Sequence, residues 1–215
     1  MNRIGFLIPS TNLTVEFEIQ YLYFHKYFNI KDLSIYIEKL ESPISYKENK
    51  LGFLENIYLD AIKKKNYLDK LGVSISYFLC TSASCLHSIN MMNILTAAEC
   101  VTMYAKMRNI TKCLLITPYN QEIAENIIKH LNYNGIIVKR NLNLHLCDSA
   151  QYFEYGQEKL QKYIEENYEA TDGDIIISCT NLPTIHFINT LENTLNAKII
   201  SSNSSIYAII KQSLP

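Results

Sequence analysis

The chain has 215 residues, and its 20 Lys and Arg against 21 Asp and Glu leave a formal net charge of −1. Hydrophobic residues make up 48% of the sequence and charged residues 19%, proportions typical of a globular protein with a sizeable core. The balanced charge argues against binding to nucleic acid or to an anionic membrane surface. Because no apolar run is long enough to span a bilayer, we expect no membrane partner. The length of the chain predicts one large or two small α/β units.

Strand-like apolar runs alternate with amphipathic stretches in the first half of the chain. The predicted strands are 4–8, 33–37 and 73–79. The predicted helices are 13–26, 51–71 and a long helical region that follows Cys80 and runs to about 108. A turn and helix-cap cluster at residues 9–12 ends the first strand, and Gly72 ends the second helix.

The second half of the chain repeats this alternation. The predicted strands are 113–117, 136–139, 174–178 and 198–201. The predicted helices are 121–131, 150–167, 183–193 and a last helix from about 204. Alternating strands and helices indicate parallel sheets with helices on both faces, so the predicted fold class is α/β.

Each half of the chain contains two short motifs, and the motifs occur in the same order in both halves. In the first half a strand ends at residues 9–12 (Pro-Ser-Thr-Asn), and another ends at residues 80–82 (Cys-Thr-Ser). In the second half, strands end at residues 118–120 (Pro-Tyr-Asn) and at residues 179–181 (Cys-Thr-Asn). This order predicts two similar Rossmann-like lobes related by a pseudo-twofold axis. We place residues 1–95 and 202–215 in the N-terminal lobe and residues 96–201 in the C-terminal lobe.

All four motifs lie at carboxyl ends of predicted parallel strands, where open α/β sheets bind their ligands. Facing lobes would bring them to one cleft, with Cys80 and Cys179 opposite each other. Two thiols placed in this way suit the exchange of protons or of a covalent bond at a single carbon. The motifs contain no Arg or Lys, so recognition of a carboxylate would depend on neutral donors. No Gly-rich phosphate loop is present, which argues against a nucleotide enzyme.

The other cysteines carry a different expectation. Six cysteines are spread along the chain without a C-x-x-C pair: Cys80, Cys85, Cys100, Cys113, Cys147 and Cys179. We expect the four outside the repeated motifs to be small buried hydrophobes. The thiols and the five histidines lack the spacing of zinc ligands, so no metal is expected. Met1 runs directly into a strand-like segment without a signal peptide, which predicts a cytoplasmic protein with reduced thiols.

The ordered motifs resemble the aspartate/glutamate racemase superfamily, and within it the branch of maleate cis-trans isomerase and arylmalonate decarboxylase. Residues 3–16 (RIGFLIPSTNLTVE) are similar to the start of maleate isomerases, where the asparagine contacts a substrate carboxylate. Residues 117–119 (TPY) look like an element of this branch whose tyrosine hydroxyl touches the substrate. Residues 198–203 (KIISSN) also match the branch, so the resemblance covers nearly the whole chain.

Departures from the family patterns narrow the expected activity. Decarboxylase members lack the first cysteine, so the presence of Cys80 favours an isomerase or racemase. Glutamate racemases have a histidine two residues after their second cysteine, and Asn181 stands there in this chain. Thr81 and Ser82 resemble the oxyanion pocket of the decarboxylases more than the apolar sequence of maleate isomerases. The substrate could therefore differ from maleate.

The resemblance implies a cofactor-independent isomerase of a small carboxylate, with Cys80 and Cys179 as catalytic residues and a homo-oligomeric assembly. The residues expected to bind substrate are Asn12, Thr81, Ser82, Tyr119, Thr180 and Asn181. In one mechanism Cys80 adds to an activated double bond and Cys179 manages a proton. A two-thiol racemase of a small chiral acid is the alternative, and a silent carboxylate-binding protein stays open. We also expect a helix after each cysteine motif, whose first N–H groups would favour the thiolate.

Overall fold

The computed structural model describes residues 2–24, 33–86 and 93–213. The strands are β1 (Asn2–Pro9), β2 (Leu33–Leu40), β3 (Ile75–Phe78), β4 (Ile94–Thr96), β5 (Lys112–Thr117), β6 (Ile137–Asn143), β7 (Asp174–Ile177) and β8 (Ile199–Ser201). The helices are α1 (Thr14–Phe24), α2 (Lys50–Lys70), α3 (Thr81–Leu86), α4 (Ala97–Met107), α5 (Gln121–Tyr133), α6 (Ser149–Glu154), α7 (Gln157–Asn167), α8 (Ile188–Leu195) and α9 (Ser202–Ser213). A short 3-10 helix, Ala170–Asp172, precedes β7.

The strands form two four-stranded parallel sheets with the same internal order. The N-terminal sheet runs β2-β1-β3-β4, and the C-terminal sheet runs β6-β5-β7-β8. Each strand of the first sheet therefore has an equivalent four strands later in the chain. This arrangement confirms the predicted α/β fold of two similar lobes. It also makes β3, which ends before Cys80, equivalent to β7, which ends before Cys179.

The sequence of β7 shows why these strands form. Its three isoleucines are fully buried, as expected for a parallel strand covered by helices on both faces. Gly173 precedes the strand with a φ of 84°, and a Cβ there would lie 2.8 Å from the carbonyl oxygen of Lys112. Only glycine meets both demands without strain, so this turn delivers β7 directly beside β5.

Side-chain caps fix the starts of two helices around the sheets. Thr96 and Glu99 form a capping box at the start of α4, in which the Thr96 hydroxyl accepts from the Glu99 N–H at 3.2 Å. Asn120 caps α5 by accepting a hydrogen bond from the Ile123 N–H at 3.2 Å. Asn120 belongs to the predicted Pro-Tyr-Asn motif, so that motif both ends β5 and begins α5.

The helix α9 packs against the N-terminal sheet, although it follows the last strand of the C-terminal sheet. Its residues Ile206, Tyr207 and Ile210 share an apolar cluster with Phe6 and Tyr77 of the first sheet. The lobe boundaries at residues 95 and 202 remain predictions, and this packing supports placing residues 202–215 in the N-terminal lobe. In the described part of the chain, no helix is both long and apolar enough to cross a membrane.

Three predicted helices differ from the structure. The long helical region after Cys80 contains α3, the short edge strand β4 and α4, and residues 87–92 of it lie outside the described part. A three-residue strand is too short to show a period. The predicted helix 150–167 is divided at Gly156, whose φ of 74° is incompatible with a continuous helix. The helix predicted at 183–193 begins only at Ile188, and the end of helix 13–26 lies outside the described residues.

Candidate active site

The carboxyl ends of β1, β3, β5 and β7 meet at a narrow cleft between the lobes. The N-terminal lobe lines it with Pro9, Thr11, Asn12, Tyr46, Phe53, Leu54, Cys80 and Ser82. The C-terminal lobe lines it with Tyr119, Ser149, Tyr152, Cys179, Thr180 and Asn181. All four predicted motifs therefore contribute to one site. Among the residues described here, none that lines the cleft carries a formal charge, and just outside it Lys47 of one lobe pairs with Asp148 of the other at 2.7 Å.

Cys80 lies immediately before α3, and its neighbours are weak donors. The Ser82 hydroxyl lies 3.7 Å from the Cys80 sulfur, and the N–H of Ala83 also points at the sulfur. The thiol is buried, and this burial raises its pKa above the ordinary value, against the lowering effect of those two donors. In the unliganded protein the Cys80 side chain is therefore a thiol near neutral pH.

Cys179 lies at the equivalent strand end, but no helix follows it. A turn continues to Leu182, and the N–H of Asn181 donates to the Cys179 sulfur at 3.3 Å. The hydroxyl of Tyr119, which lines the same cleft, acts to lower the pKa of Cys179. Burial nevertheless raises the pKa of Cys179 to about 12, and a thiolate at Cys80 would raise it further. The expectation that a helix after each cysteine favours the thiolate is wrong, because one helix is missing and desolvation outweighs the donors at both positions.

Asn12 is both a helix cap and a cleft residue. Its Oδ1 accepts hydrogen bonds from the N–H groups of Thr14 and Val15, each at 3.0 Å, and so caps α1. Its Nδ2 donates to the Thr180 hydroxyl at 3.1 Å across the cleft. An amide nitrogen has two N–H groups, so the second can donate to a ligand.

Asn181 joins the two lobes. Its Oδ1 accepts from the N–H groups of Leu13 at 2.9 Å and Thr14 at 3.2 Å, both in the N-terminal lobe. Its Nδ2 donates to the carbonyl oxygens of Ser149 at 2.7 Å and Thr11 at 3.5 Å. These bonds use both N–H groups of the side chain, so the geometry assigns the Asn181 amide to architecture. Contact between Asn181 and substrate stays a prediction. The Asn181 backbone N–H lies at the Cys179 sulfur.

The two predicted threonines also have partners inside the protein. The Thr81 hydroxyl donates to the hydroxyl of Ser202 at 2.9 Å, and Thr81 is not among the cleft-lining residues. The Thr180 hydroxyl donates to the carbonyl oxygen of Leu79 at 2.9 Å and accepts from Asn12. Neither hydroxyl proton is therefore free for a ligand. Ser82 and Tyr119 line the cleft, where they are the predicted substrate-binding side chains with hydroxyl groups nearest the two sulfurs.

Sequence reasoning missed a group of aromatic residues that line the cleft. Tyr46 precedes α2, and Tyr152 lies in α6 of the other lobe. Their hydroxyls form a hydrogen bond of 3.1 Å, and charge on either cysteine raises the pKa of Tyr46 in addition to the larger effect of burial. The rings of Phe53 and Tyr119 pack edge-on against this pair. Tyrosine is abundant in the chain, and no local spacing distinguishes these residues from the others.

A buried carboxylate, also missed from the sequence, holds the loop that follows Cys179. Glu18 of α1 accepts hydrogen bonds from the N–H groups of Thr184 at 2.6 Å and Ile185 at 2.9 Å. It accepts a third from Asn203 Nδ2 at 2.6 Å, and Asn203 also donates to the carbonyl oxygen of Thr180. Complete burial raises the pKa of Glu18 to about 7, although these hydrogen bonds lower it. The position of Cys179 therefore depends on a residue of the opposite lobe.

Comparison with known proteins gives relatives over nearly the whole chain. No protein-family model matches. The maleate isomerase of Geobacillus stearothermophilus is 20% identical over an alignment 239 positions long, which covers 97% of this chain and 90% of that protein. A cysteine-to-serine variant of the Nocardia farcinica maleate cis-trans isomerase, solved with a covalently bound succinylcysteine intermediate, has a TM-score of 0.84 at 15% identity and covers 100% of this chain and 94% of its own. Arylmalonate decarboxylase has a TM-score of 0.72 at 15% identity, over 99% and 93% of the two chains.

These findings confirm the resemblance predicted from the motifs. The relatives are the two enzymes named from the sequence, maleate isomerase and arylmalonate decarboxylase, and both have the fold described above.

Proposed function

We propose that this protein is a cofactor-independent cis-trans isomerase that converts maleate, or a closely related unsaturated dicarboxylate, into the trans isomer. One observation carries this proposal: two cysteines at equivalent strand ends of opposite lobes line a single uncharged cleft. The similarity to maleate isomerases along the whole chain supports the choice of substrate. The covalent succinylcysteine in one of these relatives supports a mechanism through a sulfur adduct.

Neutral donors would hold the substrate carboxylates. We assign this role to the second N–H of Asn12 and to the hydroxyls of Ser82 and Tyr46, which line the cleft. The Tyr46 hydroxyl accepts a hydrogen bond from Tyr152, so its own proton remains available to a ligand. In a cleft shielded from water such donors stabilise developing negative charge far better than they would in solution.

In the addition step we assign the nucleophile to Cys80. The Cys80 thiol first gives its proton to solvent water. The thiolate sulfur then forms a bond to one alkene carbon, and the π electrons move onto the neighbouring carbon and its carboxylate as an enediolate. Cys179 gives its proton to that neighbouring carbon, which yields a saturated adduct attached to Cys80. The former double bond is then a single bond and can rotate.

Reversal of these steps releases the product. Cys179, now a thiolate, takes the proton back from the carbon, and the electron pair of the C–H bond re-forms the double bond as the C–S bond breaks. The sulfur of Cys80 leaves with its electron pair as a thiolate, and Cys179 is again a thiol. The Cys80 thiolate takes a proton from solvent water, so both cysteines return to their starting states. The hydroxyl of Tyr119, which lowers the pKa of Cys179, would donate to that thiolate and stabilise it while it exists.

The test is a measurement of fumarate formed from maleate by ¹H NMR with the purified protein. We expect turnover by the wild type and a loss of at least about 10³-fold in kcat for Cys80→Ala and for Cys179→Ala. Cys147→Ala is the matched control, because Cys147 is exposed, is not among the cleft-lining residues, and its loss should leave turnover unchanged. A folded wild-type protein that forms no fumarate, but exchanges the α-proton of a chiral acid in D₂O, would instead be a racemase.

Two further expectations belong to this proposal. A cytoplasmic location is supported by the cysteines in the described residues, all of which are free thiols. A homo-oligomeric assembly is expected from the resemblance, and light scattering coupled to gel filtration measures it directly. A monomeric, fully active protein would show that the cleft between the lobes is complete within one chain.

A further inference from the structure

The hydrogen bond between Tyr46 and Tyr152 joins the two lobes at the cleft. Tyr46 lies between β2 and α2 of the N-terminal lobe, and Tyr152 lies in α6 of the C-terminal lobe. The hydroxyl of Tyr152 donates to the hydroxyl oxygen of Tyr46 at 3.1 Å. Both side chains are buried, with 4% of Tyr152 and 7% of Tyr46 exposed, so water cannot easily replace this bond.

The surrounding rings hold both hydroxyls in place. The Tyr152 ring packs edge-on against Tyr119 at 5.8 Å and against Tyr46 at 6.3 Å. The Tyr46 ring packs edge-on against Phe53 at 5.5 Å. With the rings fixed, the remaining freedom of the Tyr46 hydroxyl is the direction of its O–H bond, and the hydrogen bond from Tyr152 determines it.

A hydroxyl oxygen that accepts one hydrogen bond directs its own proton away from that donor. Both cysteines line the same cleft as Tyr46. The Tyr46 proton therefore points into the cleft, where negative charge would develop on a substrate. Tyr152 itself has its proton committed to Tyr46 and cannot donate it to a ligand at the same time.

We propose that Tyr152 is a positioning residue, which orients the Tyr46 hydroxyl so that its proton meets the enediolate oxygen formed during isomerisation. This inference rests on the proposed function, because it needs a substrate whose carboxylate gains charge. It assigns a purpose to a tyrosine that contacts the reacting atoms only through another tyrosine. The orientation of the Tyr46 hydroxyl in one lobe would then depend on contact with Tyr152 of the other lobe.

The test is a double-mutant cycle with Tyr46→Phe and Tyr152→Phe, which remove hydroxyls and keep the rings. We expect Tyr152→Phe to lower kcat for maleate by about tenfold with a smaller change in KM, since the lost interaction strengthens in the transition state. In the Tyr46→Phe background, Tyr152→Phe should have no further effect. Tyr155→Phe, at the end of the same helix and outside the cleft lining, is the matched control and should retain wild-type kinetics.

The outcomes separate this inference from the proposed function. Losses that multiply in the double variant, or a Tyr152→Phe variant with unchanged kcat, would overturn the positioning role while leaving the isomerase intact. Retained folding of each variant is checked by circular dichroism and thermal melting. A wild-type protein that neither converts maleate nor binds succinate in calorimetry would contradict the proposed function, and this inference would fail with it.

Discussion

The two cysteine-bearing ends of the cleft have equivalent places in the two lobes and different surroundings. Cys80 is followed directly by α3, and the donors near its sulfur among the described residues are a hydroxyl at 3.7 Å and one N–H. Cys179 is followed by a turn, receives a hydrogen bond from the Asn181 N–H, and has its pKa lowered by the Tyr119 hydroxyl. The repeated strand order brings two thiols together, and the unlike loops give them different chemistry. This contrast is why we assign proton exchange to Cys179 and nucleophilic attack to Cys80.

Among the single hydroxyl donors near the two cysteines, Tyr119 beside Cys179 should have the largest effect on turnover. Tyr119→Phe keeps the ring and deletes the hydroxyl that stabilises the Cys179 thiolate. We expect kcat for maleate to fall by roughly 10²-fold, the loss typical of one well-placed donor to a developing anion. Stopped-flow or NMR kinetics measure this loss. A Tyr119→Phe variant within a factor of two of the wild type would remove the distinction between the two cysteines.

The buried carboxyl group of Glu18 holds the loop after Cys179, and this group titrates. Glu18 has a pKa raised by burial from 4.5 to about 7 in the folded protein. The folded state therefore binds the proton more tightly than the unfolded state between these values, and stability falls as pH rises through that window. The expected loss from this group is about 3 kcal/mol, with little further change above pH 7.

Urea unfolding between about pH 4.5 and pH 7.5 measures this dependence. Glu18→Gln does not titrate, so its unfolding free energy should lack this component of the slope. Glu16→Gln, two residues earlier on the same helix and partly exposed, is the matched control and should retain it. Parallel slopes for the wild type and Glu18→Gln would show that the buried carboxylate is not the source.

Thiol reactivity should separate the cleft cysteines from an exposed one. Cys147 is exposed, so the expectation that it is a buried hydrophobe is wrong, whereas Cys80 and Cys179 are buried with raised pKa values. At about pH 8 we expect iodoacetamide to alkylate Cys147 at least tenfold faster than either cleft cysteine, because the thiolate is the reactive form. Peptide mapping by mass spectrometry gives the three rates. Equal rates for Cys80 and Cys147 would mean that the unliganded protein already holds Cys80 as a reactive thiolate.

The smallest effect on turnover should come from removing the Ser82 hydroxyl, a weak donor beside Cys80. The Ser82 hydroxyl lies 3.7 Å from the Cys80 sulfur, a long contact even for sulfur, so it contributes little to stabilising that thiolate. We expect Ser82→Ala to reduce kcat by about threefold, with the remainder of its effect in KM through the lost carboxylate contact. A loss as large as that of Tyr119→Phe would reverse the assignment of the two cysteines.

Local sequence patterns were sufficient to predict two similar lobes and to identify the cleft residues at strand ends. Buried strands such as β7 are continuous apolar runs, and their carboxyl ends must meet at one edge, so Cys80, Cys179, Asn12 and Tyr119 could be placed in one cleft. The short edge strand β4 and the break at Gly156 could not be recognised, because neither leaves a periodic signal.

The contacts made between the lobes could not be predicted at all. Glu18 and Thr184 are 166 residues apart, and Tyr46 and Tyr152 are 106 residues apart. Nothing local distinguishes a side chain that faces the opposite lobe from one that faces solvent. The contacts of the Asn181 side chain could not be predicted for the same reason, because its partners at Leu13, Thr14 and Ser149 lie far from it in sequence.

The central claim is that the two cysteines have different roles in one covalent mechanism, and trapped adducts test it most directly. The variants Cys179→Ala and Cys80→Ala are each incubated with maleate, and their intact masses and tryptic peptides are measured by mass spectrometry. We predict that Cys179→Ala accumulates an adduct with the mass of the substrate on Cys80, while Cys80→Ala accumulates none on Cys179. An adduct found on Cys179, or no adduct in either variant of an active enzyme, would contradict the account.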